Sequence, residues 1–202
     1  MYDYEVTDRT IEYIDSQIIK CFGSMKGLVS FDELHVMKSV SVVYEKLYKV
    51  IREAFLLLAQ RSYNDERTKQ RLLTRKLDEQ WLDDLMDGYD PTSKYVFSHE
   101  FDRRRARYAE ALISSTTKAQ ETDAAIKSMS LMCRSFAVRV TDEAALQAMI
   151  DEGIERVMWI SEKDMRVCKV CRARDGKIYR IENLPPKPHF NCRCIYRRVK
   201  NG

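Results

Sequence analysis

The sequence predicts an α+β fold: a mainly helical body carrying a small C-terminal β-hairpin module stabilised by a metal ion. Three observations support this. Apolar residues recur at three- and four-residue spacing through most of the chain, the rhythm changes to alternation after Gly153, and four of the six cysteines fall in the last 35 residues. With 202 residues and 45% hydrophobic content, the chain can build one substantial core, or a helical body with a small satellite. Charged residues make up 33% while aliphatic and aromatic residues stay plentiful, which is the composition of a soluble, ordered protein.

Taken in order, Ile11, Ile14, Ile18 and Phe22 lie on one helical stripe that Gly23 to Gly27 interrupts. Ser30 and Glu33 have capping-box spacing. After them Leu34, Met37, Ser41, Tyr44, Leu47, Ile51, Phe55 and Leu58 predict a helix to about Arg61. A third helix is expected from Asp65 to Asp87, with Leu73, Leu77, Trp81 and Leu85 inward and Gly88 ending it. Tyr89 to Lys94 has turn chemistry and marks the main boundary. Beyond it Phe101, Tyr108 and Leu112 predict a helix, Ile126 to Val140 another, and Thr141 caps one that runs to Gly153. Ile154, Val157 and Trp159 then read as a strand, Asp175-Gly176 as a hairpin turn before a strand over Lys177 to Ile181, and Ile195 to Val199 as the last strand. The regions are thus 1–90, N-terminal and helical; 91–153, a second helical part; and 154–202, small and β-rich.

Charge is unevenly distributed. Lys163 to Lys200 holds twelve basic residues against three acidic ones, a net +9, which leaves −5 on the rest of a chain whose total is +4. Such a segment attracts nucleic acid or an acidic protein surface, although a solvated face is the simpler reading. Arg103-Arg104-Arg105 is read the same way, as solvated before phosphate-binding. No run approaches the roughly 18 to 20 apolar residues of a membrane span, and the first 22 residues carry acidic groups instead of a signal-peptide pattern. Synthesis and function on the cytosolic side, without membrane contact, are expected.

The sharpest signal is Cys168-Lys169-Val170-Cys171, followed after 17 residues by His189-Phe190-Asn191-Cys192-Arg193-Cys194. Two thiolates two residues apart can face one ion across a tight turn, and a hairpin at Asp175-Gly176 brings the second group back to complete a tetrahedron. Cys168, Cys171, His189, Cys192 and Cys194 are five candidates for four places, and spacing does not choose among them. A structural Zn2+ is the expected occupant, because a surplus of protein ligands leaves no open position for catalysis. Disulfides or plain buried thiols are the alternatives. Cys21 and Cys133 fall within helical stripes and read as small buried residues, while His35 and His99 lack any catalytic partner.

Trp159 to Cys171, the Asp175-Gly176-Lys177 turn, and Pro185-Pro186-Lys187-Pro188-His189-Phe190-Asn191-Cys192-Arg193-Cys194 together resemble the C-terminal signature of phage head-morphogenesis proteins, the Mu-F-like minor head proteins. The likeness is close over Ala137 to Val199, looser over Tyr89 to Leu112 and weak before residue 89, and Phe190 stands where proline is usual. It implies that 91–153 is the helical part of a head-morphogenesis domain. The function it implies is that of a minor capsid protein, present in few copies on the portal vertex or inner capsid. Its expected partners are the portal protein, the major capsid protein or both, with contact to packaged DNA. The location it implies is the virion, and the host cytoplasm during assembly.

The alternative is a zinc-dependent nucleic-acid-binding module in which Tyr179, Phe190 and Tyr196 stack on bases among the basic residues. An enzyme is not expected, since the sequence has no phosphate-binding glycine loop, no H-E-x-x-H and no nucleophile elbow. Asp164 and Asp175 are better explained as turn and cap residues.

Overall fold

The computed structural model describes residues 4–27, 32–162, 167–189 and 192–199. Ser30, Asp164, Arg166, Phe190 and Asn191, on which parts of the sequence reading fall, lie outside them. Helix α1 (Tyr4–Gly23) buries the expected stripe of Ile11, Ile14, Ile18 and Phe22. Helix α2 (Glu33–Lys69) starts at Asp32, whose carboxylate accepts from the amides of Leu34 at 3.3 Å and His35 at 3.2 Å. Asp32 therefore fills the capping role that sequence spacing gave to Ser30. Asp32→Ala is expected to cost about 1 kcal/mol and to lower the melting temperature by about 3 °C, read by circular dichroism.

The buried row of α2 begins at Val36 and Val40, then follows Tyr44, Leu47, Ile51, Phe55 and Leu58, so Leu34 and Met37 face solvent. The helix also outlasts the expected end at Arg61, because Tyr63, Glu66 and Arg67 continue its buried face. The helix predicted over Asp65 to Asp87 is split. Arg71 takes a left-handed conformation at φ 60°, and Leu73, expected inside, is 87% exposed. The returning chain is fastened along α2 instead: Gln60 accepts from the Leu77 amide and donates to the Arg75 carbonyl, each at 2.8 Å, and Asn64 accepts from the Arg75 amide at 2.9 Å. Asp78 then caps the short helix α3 (Glu79–Asp87), which buries Leu82 and Met86.

The turn chemistry at 89–94 forms a hairpin of β1 (Tyr89–Asp90) and β2 (Tyr95–Val96), in which Asp90 Oδ1 accepts from the Thr92 amide at 2.9 Å. Helix α4 (Phe97–Ser114) follows directly, then α5 (Lys118–Asp151). Helix α5 is continuous, so Thr141 is an interior residue and not a cap. Its hydroxyl bonds the Ala137 carbonyl at 3.0 Å and the Thr7 hydroxyl of α1 at 2.9 Å, both buried. One apolar core unites the helices on both sides of the hairpin, with Phe55, Phe97 and Phe136 at its centre and Cys21 and Cys133 inside it. Arg103 and Arg104 both pair with the buried Glu100, Arg105 pairs with Asp102, and Arg104 also donates to the Ser128 carbonyl of α5 at 3.1 Å, so the arginine cluster is engaged within the helical body.

After Gly153, which is left-handed at φ 71°, the chain enters β3 (Arg156–Ile160). A short helix α6 (Lys169–Arg174), β4 (Ile178–Arg180), a 3-10 turn (Ile181–Asn183) and β5 (Ile195–Arg198) complete the regular structure among the described residues. The three strands form an antiparallel sheet in the order β4-β3-β5. Asp175-Gly176 ends α6 and does not join two strands: Gly176 takes φ 74°, and Asp175 Oδ1 accepts from the Ser161 amide at 2.8 Å. No helix among the described residues is long and apolar enough to cross a membrane.

Candidate metal centre

The first cysteine pair is arranged by α6. Cys168 is its N-cap, and its sulfur accepts from the Cys171 amide at 3.3 Å, which holds the Cys168 thiol below its ordinary pKa. Cys171 sits one turn later, buried. The other donors arrive on the segment entering β5, where Cys192 and Cys194 are buried and His189 is half-buried. All five predicted ligands converge on Cys171. Cys168, Cys171 and His189 form one group and Cys171, Cys192 and Cys194 a second, the ligand atoms within each group lying within 4.8 Å of one another.

The separations suit a tetrahedral ion. With Zn–S near 2.3 Å, neighbouring sulfurs stand about 3.8 Å apart. Cys171 Sγ lies 3.5 Å from Cys192 Sγ and 3.9 Å from His189 Nε2. Burial pushes the Cys171 thiol up to about 12, while the Cys192 thiol, donating to Cys194, is raised and Cys194 is lowered in turn. The three buried sulfurs, with the half-buried Cys168 beside them, cannot all ionise without a cation, so they share protons. A divalent ion would displace those protons and leave thiolates. The indole N–H of the buried Trp159 faces the Cys194 sulfur, where it favours the thiolate. The donor set therefore fits a soft or borderline divalent ion such as zinc.

A second buried cluster encloses these groups: Leu146 and Met149 from α5, with Val157, Trp159, Tyr196, Cys171, Cys192 and Cys194. Three of its eight members are candidate ligands, so the apolar core of this module cannot be separated from its donor site. Trp159 is the hub, edge-on to Tyr196 at 5.3 Å and Tyr179 at 6.5 Å, with the Arg174 guanidinium 4.9 Å from its ring. Tyr179 and Tyr196, candidates for base stacking in the sequence, are thus engaged in packing on the inner side of the sheet.

Sequence reasoning missed how the module is fastened to the body. Lys187 forms a buried ion pair with Asp142 of α5, donates to the Cys192 carbonyl at 3.3 Å and lies 5.7 Å from the Tyr196 ring. Thr92 of the first hairpin donates to the Lys187 carbonyl at 2.8 Å. No local signal marks these contacts, because the partners are 45 and 95 residues apart in sequence. Asp142→Asn should destabilise the module by about 2 kcal/mol, since a carboxamide accepts from the ammonium without matching its charge. Faster amide exchange in β5 than in α2 would report it. A cleft of about 280 Å³ between α5 and the proline loop reaches Lys187 and His189.

Residues 70–197 match the family model described as Phage Mu protein F like protein. The match opens just past the end of α2 and takes in α3, α4, α5 and the whole donor site. No curated protein and no solved structure matches the chain.

Proposed function

The chain belongs to the phage Mu protein F like family of head-morphogenesis proteins, and from this we propose that it is a minor structural protein of the phage head, with a closed zinc site in its C-terminal module. The observation that carries the reading is the convergence of three cysteine sulfurs and the His189 imidazole on Cys171, inside the segment that the family match covers. Four of the five would hold Zn2+. With protein ligands in surplus, no position is left for a reacting water, so the ion organises the fold and the protein is not an enzyme. Zinc would supply what a module of this size lacks, a core strong enough to hold three short strands and a six-residue helix.

In this reading the helical body and the module together associate with the portal protein, the major capsid protein or both, as the head assembles in the host cytoplasm. Contact with packaged DNA is the second reading, favoured by the net +9 of Lys163 to Lys200. Quantitative mass spectrometry of purified proheads and DNA-filled particles, scaled to the portal protein, tests the structural role. A low and reproducible ratio to portal is expected in the particles. Absence from both would remove the structural role and leave the nucleic-acid reading.

A further inference from the structure

We propose that the outward face of the β4-β3-β5 sheet docks an acidic, partly apolar surface of another protein chain in the head. The inference rests on the structural role just argued and adds to it the surface and the chemistry of the partner. The inner face of the sheet is spent on Trp159, Val157 and Tyr196, packed among the donors and α5. The register fixes what remains on the other face: Arg156 beside Arg180, Met158 between Ile178 and Arg197, and Ile160 beside Ile195.

Two features of that face call for a partner. Four of its seven residues are aliphatic or Met, where the solvated side of an antiparallel sheet is ordinarily polar, and Ile178 is 49% exposed. The charges are of one sign. None of the three strands contains an acidic residue, and although Arg180 pairs with Glu182 at 2.7 Å, Arg156 and Arg197 make no ion pair among the described residues. Exposed guanidinium groups set among aliphatic side chains match carboxylates presented on an apolar surface, since arginine binds carboxylate through two parallel hydrogen bonds.

Nucleic acid fits less well. Phosphates would engage the arginines but leave the exposed Ile178, and the open sides of the half-buried Met158, Ile160 and Ile195, with nothing apolar to cover them, and the tyrosines that could stack on bases are turned to the opposite face. Three strands spaced about 4.8 Å apart make a patch far smaller than the roughly 800 Å² that each side of a stable interface buries. The face is therefore the centre of a contact whose rim comes from elsewhere on the chain.

The test uses the full chain and the separately purified portal and major capsid proteins of the same phage, with binding measured by biolayer interferometry. Arg156→Glu/Arg197→Glu is expected to weaken binding to one of them by on the order of 100-fold, because two attractions become repulsions. Arg107→Glu/Lys127→Glu, an equal charge change on α4 and α5, should leave binding within about twofold, the size expected of remote charges screened by salt. Ile178→Asp tests the apolar half of the face and should weaken binding by about tenfold. Circular dichroism and metal content establish that each variant is folded. Where the double variant fails to fold, Ile178→Asp decides the matter alone.

Unchanged binding in folded variants would overturn the assignment of the face while leaving the structural role intact. A wild-type chain that binds neither protein would overturn both the partnership and the face. Loss of binding to a DNA duplex with protein binding preserved would turn the face into a nucleic-acid surface and also overturn the proposal.

Discussion

Cys171→Ser is expected to abolish stoichiometric metal binding and to unfold the module from about residue 154 onward, leaving the helical body intact. Cys171 is the one donor common to both ligand groups, and its position in α6 makes it the meeting point of the two halves of the site. Structural zinc in small domains contributes on the order of 10–16 kcal/mol of apparent binding free energy, far above what so small an apolar core supplies alone. The helical body has a separate core of its own, so it has no reason to follow. Limited proteolysis should cut the variant within the module and stop near the end of α5, while far-UV circular dichroism keeps most of its helical signal. Cys133→Ser is the matched control, as its thiol is buried in the helical core, and it should retain the metal. Full metal content and an intact module in Cys171→Ser would refute the ligand assignment.

Trp159→Ala should produce the next largest loss, about 3–5 kcal/mol confined to the module. The side chain is fully buried, and it is the contact between the two outer strands' tyrosines, the Arg174 guanidinium and the donor Cys194. Removing it opens a cavity in a cluster with few other large residues, and the short strands cannot close over it. Hydrogen exchange should show lost protection in β3, β4 and β5 with α2 and α5 unchanged. Trp159→Phe should recover most of the packing but not the indole N–H. A gain in zinc off-rate with near-normal protection would assign the N–H to the thiolate beside it. Equal protection in wild type and Trp159→Ala would mean that the module does not depend on this hub.

The elements most legible in the sequence were those whose signal is local and periodic. Ile11 to Phe22, the Tyr44 to Leu58 stretch and Val157 with Trp159 needed only spacing, and each is buried as that spacing implies. Two helix boundaries were not legible, because tertiary contacts decide them. The side chains of Gln60 and Asn64 hold residues 75–77 as an extended return where composition favoured helix, and Thr141, a good cap by identity, satisfies its hydroxyl inside α5 and against Thr7.

The candidate site was legible to the level of its five donors, since cysteines two residues apart keep their meaning without context. Its supports were not. The first Cys pair opens a helix rather than a bare turn, Asp175-Gly176 closes that helix, and the Lys187 to Asp142 pair joins segments whose proximity only the fold creates. The outward sheet face was hidden for a similar reason: Arg156, Arg180 and Arg197 read as scattered basic residues until the strand register aligns them.

The most direct test of a zinc-organised module is X-ray absorption at the zinc edge, combined with elemental analysis, on the full chain purified without added metal. A closed site gives one zinc per chain with only sulfur, or sulfur and one nitrogen, as nearest neighbours and sulfur at about 2.3 Å. A chain that folds natively with no zinc, or that holds it through oxygen ligands with an open position, would contradict the structural role assigned to the ion.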